Sequence, residues 1–73
     1  MDKIVRTLRC KNVNVPGTLG KLATTIGKVG VDIGNITTVH LGPHYTIRDI
    51  DVYAENEEQL SRVINEVSKL KEV

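Results

Sequence analysis

The sequence predicts an α+β fold in which an antiparallel sheet carries two helices on one face. Three observations lead there. Runs rich in β-branched residues show apolar alternation, two other runs repeat apolar residues every three or four positions, and Gly or Pro breaks separate them. The chain has 73 residues, room for one domain (residues 1–73) with one small core. With 40% apolar and 26% charged residues it has the balance of a globular domain and not of a disordered tail.

The first run, residues 3–13, reads as a strand with Ile4, Leu8 and Cys10 on one face and Arg9 and Lys11 on the other. Arg6 falls on the apolar face, a misfit expected of a strand lying near an edge or a polar partner. Asn14-Val15-Pro16-Gly17 breaks this strand. Leu19, Leu22, Ala23, Ile26 and Val29 then form one helical stripe over residues 17–29, and Gly30 is placed to end it in the left-handed conformation, with Val31 covering the last turn. A second strand is predicted over Asp32–Leu41, with a bulge where the alternation slips at Gly34-Asn35. Gly42-Pro43 turns the chain into a third strand, Tyr45–Ala54, with Ile50, Val52 and Ala54 on one face and Asp49, Asp51 and Tyr53 on the other. Asn56 with Gln59 three residues on caps the second helix. Glu57 and Glu58 suit its positive end, Leu60, Val63, Ile64, Val67 and Leu70 make its stripe, and Lys69 and Lys71 suit its negative end. The order β-α-β-β-α, with a stub of a further strand at the C-terminus, is the ferredoxin-like βαββαβ plan with its last strand short or missing. That would leave the first strand with an unpaired edge.

Composition removes several functions. Ten basic against nine acidic residues give a net charge of +1, too even for electrostatic capture of nucleic acid or an anionic membrane. Cys10 is the only cysteine, so there is no internal disulfide, no Cys-x-x-Cys metal loop and no structural zinc site. With no Phe, no Trp and only Tyr45 and Tyr53, the strands lack the aromatic platform of an RNA-binding sheet. Gly17-Thr18-Leu19-Gly20 matches a GxxG backbone clamp, but that clamp joins two helices and here it follows a strand. His40 and His44 flank a turn far in sequence from Cys10, so no catalytic arrangement is assembled and the chain is not expected to be an enzyme; nor are the two histidines expected to hold a metal. No apolar run has signal-peptide or membrane-spanning length, and the lone thiol suggests a cytoplasmic compartment. Lacking both disulfide and metal, so small a core depends on close packing or on association with another chain.

Asn14, Pro16, Gly17 and Leu19 ahead of the first helix, followed by Gly30-Val31-Asp32-Ile33, resemble the ACT domain, a small-molecule-sensing module attached to many enzymes of amino-acid metabolism. The run Tyr45-Thr46-Ile47-Arg48-Asp49-Ile50-Asp51-Val52 resembles, more narrowly, the ACT domain ahead of the catalytic part of some prokaryotic NAD-dependent malic enzymes. The resemblance implies a non-catalytic regulatory domain with no cofactor, which forms a homodimer, binds an amino acid or related metabolite, and acts on an attached or associated metabolic enzyme. The alternatives are an oligomerisation module without a ligand, or the regulatory fragment of a malic enzyme.

The candidate ligand-binding residues are Asn12, Asn14, Gly17, Thr18, Leu19, Gly20, Asp32 and Ile33. The first helix offers free N–H groups at residues 17–20 with no acidic side chain nearby, which suits a carboxylate. Gly20 and Gly27 cost a helix roughly 1 kcal/mol each relative to Ala, so a compensating role is expected: clearance for a ligand, or close packing on the sheet or on a second copy. Asn14 either caps the helix or holds a ligand carboxylate. Asp32 is either a turn residue bonded to its own backbone or, as the resemblance implies, the partner of a ligand ammonium, often across a subunit boundary. Asn12 stands where some amino-acid-binding relatives carry a histidine. Arg48 and Asp49 are expected in cross-strand or solvent pairs, and Cys10 as a small buried side chain. Val5, Val39, Ile47 and Tyr53 are expected to be exposed on the sheet face away from the helices, an apolar surface for a second copy.

Overall fold

In the computed structural model, which describes residues 3–70, β1 (Ile4–Val13), α1 (Thr18–Val29), β2 (Asp32–Leu41), β3 (Tyr45–Ala54) and α2 (Glu57–Ser68) follow in that order. The strands form one antiparallel sheet in the order β1-β3-β2, and the result is the ferredoxin-like arrangement expected of the sequence. The expected stub of a further strand, and Lys71, lie outside the described residues.

β1 and β3 pair without interruption from Ile4 opposite Ala54 to Val13 opposite Tyr45. Directly opposed residues share a face, so Ile4, Leu8 and Cys10 join Ile50, Val52 and Ala54 under the helices. Arg6 shares that face opposite Val52, and it is accommodated because β1 is a border of the described sheet. Its guanidinium turns outward to donate to the Val5 carbonyl and lies 3.9 Å from Glu57. The register of β2 on β3 shifts between Ile33 and Ile36, the bulge expected at Gly34-Asn35, and again between Thr38 and His40. Gly34 lies beneath the Tyr53 ring so closely that a Cβ there would come within 2.5 Å of it.

Leu22 and Ile26 of α1, Val63 of α2, and Ile50 and Val52 of β3 are fully enclosed and form the centre of the core. Cys10 is buried among them as a free thiol, and its burial pushes the pKa up, which leaves it unreactive. Both glycine and asparagine caps behave as their chemistry dictates. Gly30 takes φ +88°, and the N–H groups of Gly30 and Val31 donate back to Gly27 and Ile26. Asn56 Oδ1 accepts from the Gln59 N–H at 2.8 Å, while Gln59 Oε1 accepts from the Glu55 N–H at 2.7 Å.

Two expectations need correction. Ile64 belongs to the apolar stripe of α2 but is exposed, at the side of the helix next to β1, which is the border strand among the described residues. A groove of about 480 Å³ runs there between residues 7–11 and Ile64, Val67 and Ser68. On the opposite face of the sheet Val5 and Val39 are exposed as expected, but Ile47 and Tyr53 are half-buried. That face is no continuous apolar surface. Arg9 grips Asp49 through two hydrogen bonds of 2.8 and 2.9 Å, Thr7 donates to Asp51, and Lys11 stands 4.4 Å over the Tyr45 ring, which stacks on His40.

These surface pairs set an acid limit. Asp49 is held below the ordinary aspartate value of 3.8 by its bonds to Arg9, and Asp32 by its bond to Lys3. Because the unfolded chain takes up protons first, the stability they add is present above 3.8 and lost as pH falls through their lower folded values. The melting temperature should therefore fall as the pH drops below about 4, and less steeply in Asp49→Asn. An identical acid limb in the variant would exclude the Arg9–Asp49 pair as its source.

Candidate functional site

The β1–α1 connection explains why the start of α1 is chemically unusual. Gly17 is the N-cap residue, with φ +87°, and α1 begins at Thr18, one residue later than the periodicity alone places it. No side chain caps this helix and no acidic residue occupies its first turn. The Gly17 carbonyl accepts the first helical bond from the Lys21 N–H at 3.0 Å, and the N–H groups of Leu19 and Gly20 meet no acceptor among the described residues. In α2 the N–H that matches Gly20's, that of Gln59, is accepted by the Asn56 side chain, and Glu57 and Glu58 occupy the first turn. The first turn of α1 is thus an uncompensated positive pole.

Asn14 does not cap α1. Its side chain is turned away to donate to the Gly42 carbonyl at 2.7 Å, and its N–H donates to the His44 carbonyl at 3.1 Å. It ties the connection to the β2–β3 turn, leaving α1 uncapped. Thr18 is buried, and its hydroxyl donates to the Val15 carbonyl at 2.7 Å, which closes the loop from inside. Leu19 is half-buried, whereas Gly17 and Gly20 face open space: a Cβ at either would meet nothing within 4 Å. The same holds for Gly27, which corrects the expectation that Gly20 and Gly27 let α1 settle closely on the sheet. Their clearance faces outward.

Beneath this turn lies a pair that sequence reasoning only half found. Asn12 is opposed to Thr46 on the helix side of the sheet, and both are buried, 3% and 0% exposed. Asn12 Oδ1 and Thr46 Oγ1 have no hydrogen-bond partner among the described residues. Buried polar atoms are ordinarily satisfied, and one left alone costs about 1–3 kcal/mol. Thr46 was visible in the sequence as the one threonine in phase with Ile50, Val52 and Ala54.

Asp32 is brought into no contact with these groups. It opens β2 at the far end of α1, and a helix of 12 residues is roughly 18 Å long. Its carboxylate bonds the Lys3 ammonium at 2.8 Å and is largely exposed, so it is not a turn residue bonded to its own backbone. Ile33, next to it, is half-buried against the core. Within one chain, therefore, Asn12, Gly17, Thr18, Leu19 and Gly20 form one cluster and Asp32 and Ile33 another. Among the described residues no group of three or more His, Cys, Asp or Glu side chains could hold a metal, and no helix is long and apolar enough to cross a membrane.

Comparison with known proteins agrees with the geometry. The chain is 52% identical over 69 residues to NAD-dependent malic enzyme 1 of Bacillus subtilis (strain 168), covering 94% of this chain and 16% of that protein. It thus spans about a sixth of the length of the curated relative it matches. The fold superposes on the crystal structure of the ACT domain from the GTP pyrophosphokinase of Chlorobium tepidum with a TM-score of 0.79 at 13% identity, covering 96% of this chain and 90% of that one. The family model for the ACT domain, a regulatory ligand-binding module, matches residues 3–73, and the chain belongs to the ACT domain family.

Proposed function

We propose that this chain is a regulatory module that dimerises, binds a small amino acid or a related metabolite, and passes its occupancy to an attached or associated metabolic enzyme, an NAD-dependent malic enzyme. The observation that carries the reading is the first turn of α1. Among the described residues the N–H groups of Leu19 and Gly20 meet no acceptor, the glycines are open to approach, and the buried Asn12 Oδ1 and Thr46 Oγ1 lack partners below the turn. A carboxylate is the anion such a pole accommodates.

The separation of the two clusters supports the dimer in this reading. An ammonium held by Asp32 cannot belong to a small zwitterion whose carboxylate sits roughly 18 Å away at the start of the same helix. A two-fold axis that sets two copies of α1 antiparallel brings the first turn of one beside Asp32 of the other, and a self-complementary surface is what such an axis needs. The outer flank of α1 and the exposed part of β2 support this arrangement. Thr25 and Lys28 turn toward α2, so at 100° per residue Leu19, Ala23 and Gly27 lie on the opposite flank of α1. On that side β2 is uncovered, with Ile36 and Leu41 exposed. A ligand at the junction favours the paired state by its difference in affinity for paired and separate chains, and this is the means of regulation. The lone reduced thiol of Cys10 is consistent with a cytoplasmic setting.

A second reading, an oligomerisation module without ligand, is favoured by two bonds: Asn14 is engaged with Gly42 and Asp32 with Lys3. Calorimetric titration with the common amino acids, read beside sedimentation equilibrium, separates the two. Heat with at least one amino acid, and a dimer that it strengthens, are expected. Silence across the panel with a stable dimer would establish the second reading, and a monomer at high micromolar concentration would remove both.

A further inference from the structure

Arg48 is a cation for whose guanidinium the described residues supply no partner. Strand alternation and the opposed residues Cys10 and Thr38 put it on the helix side of β3, in phase with buried Thr46 and Ile50. A charge on that side of a central strand ordinarily has a carboxylate within the chain. The neighbouring acid does not serve, because Asp49 points to the other face and is taken by Arg9. Lys3, Arg6, Arg9, Arg62 and Lys69 all have acidic partners, whereas half-buried Arg48 has no hydrogen bond or ion pair among the described residues. Its neighbour on β2, Thr38, is exposed, so the β2 side of Arg48 borders solvent. One same-face step along β3, about 7 Å, separates it from Thr46. That residue and Asn12 carry the two buried oxygens without partners.

The groups in this corner are therefore a helix pole for one anion, a planar cation for a second, and two buried polar atoms between them. We infer that Arg48 reads a second anionic group on the effector, so that the ligand is a four- or five-carbon dicarboxylate, an acidic amino acid in the first instance. The inference rests on the reading of α1 as an effector site and adds its specificity. Guanidinium and carboxylate pair through two parallel hydrogen bonds, a geometry that an amide in the same place cannot match in strength.

The test is calorimetric titration of the intact protein with L-aspartate, L-asparagine and succinate. L-Aspartate should bind about 10- to 100-fold more tightly than L-asparagine. In Arg48→Gln, L-aspartate should fall to the level of L-asparagine while L-asparagine is unchanged, and Arg48→Lys should lie between. Unchanged circular dichroism and melting of each variant establish that the fold is intact. Succinate binding like L-aspartate identifies the two carboxylates alone as the recognised chemistry, and weaker succinate binding adds the ammonium to it. Equal affinity for L-aspartate and L-asparagine, or discrimination that survives in Arg48→Gln, overturns the role of Arg48 and leaves the effector site standing. Silence with all common amino acids and with succinate removes the effector site itself.

Discussion

Leu22→Ala is expected to lower the melting temperature by on the order of 10–30 °C, among the large stability effects of single truncations in this chain. Leu22 is fully enclosed between α1 and the sheet, in contact with the cluster that includes Ile26, Ile50, Val52 and Val63. Removing its terminal carbons forfeits their transfer energy and leaves a cavity, about 2–5 kcal/mol together. A chain of this size has a net stability of only about 4–11 kcal/mol, so a substantial unfolded population follows at moderate temperature. Ile64→Ala is the matched control. Ile64 has a similar side chain and sits on a helix of the same layer, but it is exposed, so its truncation should move the melting temperature by little. Equal shifts in the two variants, followed by differential scanning calorimetry, would contradict the assigned core.

Gly20→Val should separate folding from binding. Gly20 lies in the first turn of α1 with nothing within 4 Å of an added Cβ, and its φ is not positive, so valine is accommodated and its helix propensity is no worse than glycine's. The fold should melt at or slightly above the native temperature. Binding of an amino acid should nevertheless be lost, because the branched side chain covers the free N–H groups that a carboxylate would approach. Gly17→Val is a poorer probe, since its φ of +87° strains any β-branched residue whatever the space around it. Retained affinity in Gly20→Val, measured by titration, would move the ligand away from this turn.

The elements were legible in the sequence because each is marked by a local rule. Periodicity gave both helices and all three strands, Gly30 ended α1, Asn56 and Gln59 opened α2, and the slipped phase at Gly34-Asn35 marked a bulge. Arg6, the misfit on the apolar face of β1, was a sign of the border position that the sheet order gives it. What escaped were facts of tertiary placement. Capping preference could not reveal that Asn14 is drawn off to Gly42, because that bond spans 28 residues. The stripe of α2 did not reveal that Ile64 is left outside. Arg48 and Asp49 were both expected in cross-strand or solvent pairs, but only tertiary placement gives Asp49 to Arg9 and leaves Arg48 without a carboxylate among the described residues. The spacing of Asp32 from Gly17 gives no distance until the helix between them is built, and then the two prove to stand at opposite ends of it.

That last fact makes the central claim, a site completed by two copies, open to a direct measurement. Gly20→Val and Asp32→Ala proteins, each without measurable amino-acid binding alone, are mixed in equal amounts, allowed to exchange subunits, and titrated by calorimetry. If the first turn of α1 in one copy works with Asp32 of the other, half of the dimers are mixed and each regains one intact site. About a quarter of all sites should then bind with native affinity. A mixture as silent as its two components, with subunit exchange demonstrated, would contradict a site shared between copies.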